Sequence, residues 1–250
     1  MRISNLHVYQ TRRPFEISFL SGQAFRTKSE SVILRIDYET GISSYGESAP
    51  RSYVTGESLA SVAGTIWDSF APLLLHREIK TLKEVKNLLN ELEGFCLERS
   101  IKSYNSALGA VDIALLDGLG QLEKKPVAFY LGPWLKNSIP CSVSIPLLPD
   151  EQIHQLFHRF RHYPFRHVKV LLGEDLSWNA DRLALLRSLF NGEVDLRIEV
   201  NGKWNFEQAM AHINILRKSG ISAVEQPLPA HDLDGLRRFR EASGFRVVAD

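Results

Sequence analysis

Cysteine is scarce in this chain, with only Cys96 and Cys141 among 250 residues. Two thiols without metal-ligand spacing exclude a disulfide framework, and they fit a reducing cytoplasm. An excess of one charge is also missing, since 30 Lys and Arg stand against 29 Asp and Glu. That parity leaves no electrostatic footprint for nucleic acid or for an anionic membrane surface. No run approaches the roughly 18 apolar residues of a membrane span. Met1 to His7 lacks the apolar stretch of a signal peptide. No Gly-x-Gly-x-x-Gly or Walker sequence follows any predicted strand, which argues against nucleotide binding. What is present is a core-forming composition, 44% hydrophobic and 24% charged, expected of a globular, cytoplasmic protein that acts on small molecules.

The first half reads as strands followed by helices. Residues 2–10, 31–38 and 42–47 are predicted strands, rich in β-branched and aromatic residues. Between the first two, Ser18 to Ser29 reads as a polar, glycine-bearing loop, and a second loop runs from Ser48 to Gly56. Helices are predicted over 58–75, 82–93 and 103–122. The last carries Tyr104, Ala107, Leu108, Val111, Leu115 and Leu122 as one apolar stripe. Pro126, Gly132, Pro133 and Pro140 then mark a linker. The expected division is an α+β domain over 1–125, a linker over 126–140 and a second domain over 141–250.

In the second domain, short apolar strands alternate with helical patterns. The strands are 141–145, 167–171, 196–200, 223–226 and 246–250; the helices are 150–161, 179–190, 206–218 and 232–242. Successive βα units predict a parallel sheet. With no nucleotide fingerprint, a (β/α) barrel of the TIM type is favoured over a doubly wound sheet. The overall class is α/β, with about five barrel strands visible. The barrel is therefore expected to be incomplete here, either because the sequence is part of a longer protein or because the protein is a shortened relative.

Acids fall in phase on this repeat. Glu199, Glu225 and Asp250 end three successive predicted strands, 26 and 25 residues apart. Strand ends of that kind converge at the C-terminal face of a parallel barrel, where sites form. Three carboxylates at one level repel unless a cation sits among them, and an all-oxygen set suits Mg²⁺. His154, His158 and His162 also recur at helical spacing, and an exposed polar stripe is their plain reading.

At these residues the sequence resembles the enolase superfamily, in its muconate-cycloisomerase-like (mandelate racemase/muconate lactonizing enzyme) subgroup, which includes dipeptide epimerases. The likeness runs along the chain: Tyr45-Gly46-Glu47-Ser48-Ala49-Pro50, Tyr53-Val54-Thr55-Gly56-Glu57, the helix from Ser106 to Asp117, Lys125-Pro126-Val127, Glu199-Val200-Asn201-Gly202-Lys203-Trp204, and Glu225-Gln226-Pro227. The resemblance implies a capping domain over a barrel and a Mg²⁺-dependent isomerase, epimerase or cycloisomerase. It would act by removing the proton α to the carboxylate of a small-molecule substrate. It makes Glu199, Glu225 and Asp250 the Mg²⁺ ligands and puts Asn201 behind them. In the subgroup a lysine is the base, and the metal stabilises the resulting enediolate. The two loops, with Arg26, Tyr53 and Thr55, would close over the site and bind substrate. A homo-oligomer is expected, since an open sheet edge invites association.

Two positions depart from the subgroup's pattern. The Lys-x-Lys of the second barrel strand is matched by Lys169-Val170-Leu171, so Lys169 is the remaining candidate catalytic residue and Leu171 stands where the base belongs. The first metal ligand is Glu199 in place of the usual aspartate. Two further readings therefore stand beside the isomerase: a non-catalytic relative that keeps the fold, and a succinylbenzoate-synthase-like lyase.

Overall fold

A computed structural model describes residues 1–21, 24–163, 165–190 and 194–250. The chain divides into two compact units, Met1–Glu16 with Thr27–Asn137 and Ile17–Arg26 with Ser138–Asp250.

The first unit holds most of an antiparallel sheet, β1 (Ile3–Ser21), β2 (Ala24–Tyr38) and β3 (Ser43–Ser48), in the order β1-β2-β3, with Ile17–Arg26 at the tip of the β1–β2 hairpin counted in the second unit. Short helix α1 (Ser52–Thr55) follows. α2 (Leu59–Gly64), a π-helical stretch (Thr65–Phe70) and α3 (Ala71–Leu74) then run on from one another. Two long helices, α4 (Leu82–Glu98) and α5 (Asn105–Glu123), and the short α6 (Ala128–Leu131) complete the unit. On β2, buried Val32, Leu34, Ile36 and Tyr38 alternate with half-buried residues, the period-2 pattern of a sheet with one covered face. α5 packs on this sheet through Ala107, Ala110, Val111, Ala114, Leu115 and Leu119, all fully buried.

Two expectations need correcting in this unit. Ser18–Ser29 is not a loop, because β1 runs to Ser21 and β2 restarts at Ala24. Only Gly22 and Gln23 of that segment lie outside the described residues. Polar residues read as loop because each strand here has a solvated face. The hairpin end is held by Ile17 and Phe19 packing on the second core and by a bridge from Leu20 to Leu147, all within the second unit. The α5 stripe holds at Ala107, Val111 and Leu115, with Tyr104 and Leu108 packed against the core, but Leu122 is 36% exposed and the buried Ala110 and Ala114 belong to the face as well. Ala110 and Ala114 carry little hydrophobic signal, because close approach selects them.

Gly46 shows how close that approach is. A Cβ there would stand 1.9 Å from the Ala110 carbonyl oxygen and 2.8 Å from the Ala114 nitrogen, both main-chain atoms of α5. Glu57, 1% exposed, holds the helix start: both its carboxylate oxygens accept from the Ser106 amide at 3.0 Å, and Oε2 accepts from the Ser106 hydroxyl at 2.6 Å. An acid at a helix N-terminus satisfies amides that have no partner within the helix.

The second unit is a run of βα units. β4 (Ser142–Ile145), α7 (Asp150–Phe160), β5 (His167–Leu171), α8 (Leu176–Leu189), β6 (Asp195–Glu199), α9 (Phe206–Lys218), β7 (Ile221–Glu225), α10 (Leu233–Ser243) and β8 (Arg246–Val248) follow in order. The strands pair in parallel as β4-β5-β6-β7-β8, the arrangement of successive strands in a (β/α) barrel. Val168, Val170, Leu196, Ile198 and Val224 are fully buried in a core shared with Leu183, Leu186, Leu216 and Phe239 of the helices. The alternate positions, His167, Lys169, Leu171, Asp195, Arg197 and Glu199, line the other face. His154 and His158 are exposed on α7, in keeping with a solvated stripe.

Because Gly46 leaves no room for a methyl group against main-chain atoms, Gly46→Ala is expected to lower stability by about 2–4 kcal/mol. A urea midpoint unchanged from the parent chain would refute this packing.

Candidate metal and substrate site

Register brings the acids together. Glu199 of β6 pairs with Glu225 of β7, Glu225 with Val248 of β8, and Leu171 of β5 with Glu199. Leu171, Glu199 and Glu225 therefore share one level and one face. The sequence places Asp250 at that level too, but β8 ends at Val248, two residues earlier, so Asp250 lies beyond it. The displacement has a local cause. The Gln226 side chain accepts from the Asp250 amide at 2.8 Å and donates to the Leu228 carbonyl at 2.7 Å, drawing the chain out of the strand. One carboxylate oxygen from each of Glu199, Glu225 and Asp250 nevertheless lies within 4.8 Å of the others. Burial is graded, with Glu199 buried, Glu225 half-buried and Asp250 exposed.

Main-chain bonds beyond the strand ends hold these positions. The amides of Leu172, Val200 and Gln226 donate to the carbonyls of Glu199, Glu225 and Val248 at 2.9, 3.2 and 2.9 Å. Asn201 and Gly202 form a left-handed turn (φ +55° and +69°), from which the Gly202 amide reaches the Gln226 carbonyl at 2.7 Å. Asparagine and glycine tolerate that conformation, which accounts for both residues without a ligand.

Lys169 stands among the acids. Its Nζ lies 2.8 Å from Glu199 Oε2 and 3.1 Å from Glu225 Oε1. Burial works against its charge, but the Glu199 and Glu225 carboxylates outweigh it and hold the ammonium above the ordinary lysine value. Beside it opens a cavity of about 480 Å³, lined by Ile17, Phe19, Leu148, Leu156, Phe160 and Leu171, with Lys169 and Glu199 as its charged wall. An apolar recess with a few converging charges is the ordinary form of a small-molecule site. Arg26 belongs to this unit, its guanidinium 5.8 Å from the centre of the Phe19 ring. Tyr53 and Thr55 belong to the first unit, in α1.

Polar residues that the sequence reading did not single out brace the loops behind this site. Asn179, fully buried, pairs with both main-chain groups of Gly173, two residues beyond Leu171. Trp204 Nε1 donates to the same Gly173 carbonyl at 2.8 Å. His212 stacks on Trp204 at 3.9 Å; its Nδ1 donates to the Gln208 carbonyl, and its Nε2 accepts from Asn179. That pattern requires neutral imidazole, and burial pulls the His212 pKa down accordingly. Arg182, 1% exposed, donates to the carbonyls of Leu148 and Pro146 in the cavity wall. Burial brings its pKa down to about 10, so it remains charged at neutral pH. Trp204 ends the Glu199–Trp204 segment noted in the sequence; Asn179, Arg182 and His212 belong to no motif. Only an unexpected polar residue inside an apolar helical face could have marked Asn179, Arg182 and His212.

Fold, register and acid cluster together define a (β/α)-barrel protein with a carboxylate site at the C-terminal ends of its strands. Residues 2–132 match the family described as mandelate racemase / muconate lactonizing enzyme, N-terminal domain, and residues 148–250 match the enolase C-terminal domain-like family. The chain belongs to the mandelate racemase/muconate lactonizing subgroup of the enolase superfamily.

The L-Ala-D/L-Glu epimerase of Bacillus subtilis is 26% identical over 253 residues, covering 100% of this chain and 67% of its own length. Its substrate-liganded structure superposes with a TM-score of 0.85 at 25% identity, covering 100% of this chain and 68% of that one. The dipeptide epimerase of Methylococcus capsulatus, solved with Mg and the dipeptide L-Arg-D-Lys, superposes with a TM-score of 0.81 at 25% identity. That match also covers 100% of this chain and 68% of the other. Chloromuconate cycloisomerase CbnB of Cupriavidus necator is 28% identical over 249 residues, covering 96% of this chain and 62% of its own. The chain spans about two thirds of the length of the curated relatives it matches. By family resemblance it stands among isomerases: racemases, epimerases and cycloisomerases. No helix among the described residues is long and apolar enough to cross a membrane.

Protonation of His212 would break its bond from Asn179. Its folded pKa is depressed, so the stability it contributes is present above the unfolded value of about 6.5 and is lost as pH falls below it. The urea midpoint is therefore expected to drop from pH 7.5 to pH 5.5, and to drop less in His212→Leu. Equal drops in the two proteins would disprove the link.

Proposed function

We propose that this chain forms the metal-holding side of a Mg²⁺-dependent isomerase site for a small carboxylate-bearing molecule, of the racemase, epimerase or cycloisomerase kind. The observation that carries the reading is the convergence of one oxygen each from Glu199, Glu225 and Asp250 within 4.8 Å, beside a cavity of about 480 Å³. The donor set fits the ion, being three anionic oxygens at an open edge, as a hard divalent cation with retained water requires. When bound, Mg²⁺ would offset negative charge building on a substrate carboxylate.

The protein's own groups then set what else can happen. Ile17, Phe19, Leu148, Leu156 and Phe160 would take the apolar part of the molecule and exclude water. Leu171 stands level with Glu199 and supplies methyl groups, with no lone pair to accept a proton. Lys169 donates to two carboxylates as an ammonium and so has no lone pair to offer either. Proton removal by a β5 side chain is therefore closed. This favours a second reading, a relative that binds its carboxylate ligand without turning it over. A cytoplasmic location and a homo-oligomer belong to the same proposal; the free thiols of Cys96 and Cys141 support the first.

Glu225→Gln removes one anionic ligand, and calorimetric Mg²⁺ binding is expected to weaken at least about tenfold, since charge-assisted contacts are the strong ones. Unchanged affinity would sink the site assignment. The 250-residue chain is also expected to show no fast, Mg²⁺-dependent exchange of α-protons on dipeptides or cyclic carboxylates in deuterated water. A general base contributes roughly 10²–10⁴-fold, so rapid deuterium uptake seen by mass spectrometry would mean that a base does act.

A further inference from the structure

The Glu199–Glu225 pair is already served by a cation of the chain itself. Lys169 Nζ contacts both acids, at 2.8 and 3.1 Å, and the three side chains are only 29%, 12% and 21% exposed. Charges so shielded from water interact more strongly than surface pairs do. Leu171, the next residue along the same face of β5, adds no charge that could rearrange the pairing. Asp250 is the exposed member of the cluster and is not one of the ion-pair partners of Lys169.

A divalent ion held by all three acids must therefore share two of its ligands with a fixed positive charge, or displace it. We infer that Lys169 is a tethered competitor for the metal site: it holds Glu199 and Glu225 together when no divalent ion is bound, and it weakens divalent-cation binding. The inference rests on the reading of Glu199, Glu225 and Asp250 as metal ligands, and it makes Lys169 the residue that sets the site's affinity. Removing the ammonium should have two opposite consequences. The metal-free protein loses the cation that offsets its acids, and the metal gains uncontested ligands.

The test is isothermal calorimetry of MgCl₂ into the 250-residue chain and its K169M variant, with thermal unfolding measured with and without Mg²⁺. K169M should bind Mg²⁺ at least about tenfold more tightly. It should melt below the parent without metal and recover most of that difference when Mg²⁺ is added. Lys169→Arg keeps the charge and should stay as weak as the parent. If K169M does not fold, Lys169→Gln is read by the same criterion. Affinity equal to or below that of the parent would overturn the competition while leaving the metal site standing. Absence of binding heat and of any Mg²⁺-dependent melting shift in every one of these proteins would overturn the metal reading and the inference with it.

Discussion

Three carboxylates brought to one end of a parallel sheet repel each other, and positive charge standing among them relieves that repulsion. Glu199 and Glu225 have such a charge in the Lys169 ammonium, and Asp250 brings a third carboxylate oxygen within 4.8 Å of theirs. Much of the second unit can be understood as holding that balance. Strand register sets Glu199 beside Glu225, and amides past the strand ends continue the bonding between neighbouring segments there. Gln226, 5% exposed, fastens the main chain of Asp250 where its carboxylate can join the other two.

A cluster of this kind needs rigid support, because a shift of about an ångström changes which groups meet. The support consists of buried polar side chains that spend their hydrogen bonds on loop main chain. Asn179 and Trp204 hold Gly173, and His212 orients Asn179. Arg182 holds Pro146 and Leu148 in the cavity wall, although its Nε has no hydrogen-bond partner among the described residues. Each of these groups is costly to bury; Asn179, Trp204 and Arg182 offset that cost by bonding loop carbonyls, and His212 by bonding Asn179 and the Gln208 carbonyl.

Much of the architecture is legible in the sequence. The βα repeats of the second unit emerged within a few residues, because turn residues punctuate every strand and helix there. The hairpin of the first unit did not. Its strands extend through residues 18–21 and 24–29, which read as loop, and the contacts that Ile17, Phe19 and Leu20 make with the second core and with Leu147 are far away in sequence. The helix α5 was found, but its face was misjudged by Leu122, since alanines that permit close packing carry little hydrophobic signal. Glu57 was noticed only as part of a motif; its function as the cap of α5 lies 49 residues away.

By itself the sequence determined the chemistry on offer. Three acids stand one βα repeat apart, and the resemblance to the subgroup matches Leu171 to the place of its base. No fold can give Leu171 a proton-accepting atom, so that conclusion needed no structure. Tertiary structure alone decided the rest. It set Asp250 beyond the level of the other two, and it carried the Lys169 ammonium across 56 residues of sequence to Glu225. Spacing along a chain fixes which strand end a residue occupies. How far a side chain reaches, and which charge it meets there, depends on pairing register and on hydrogen bonds between segments that are distant in sequence.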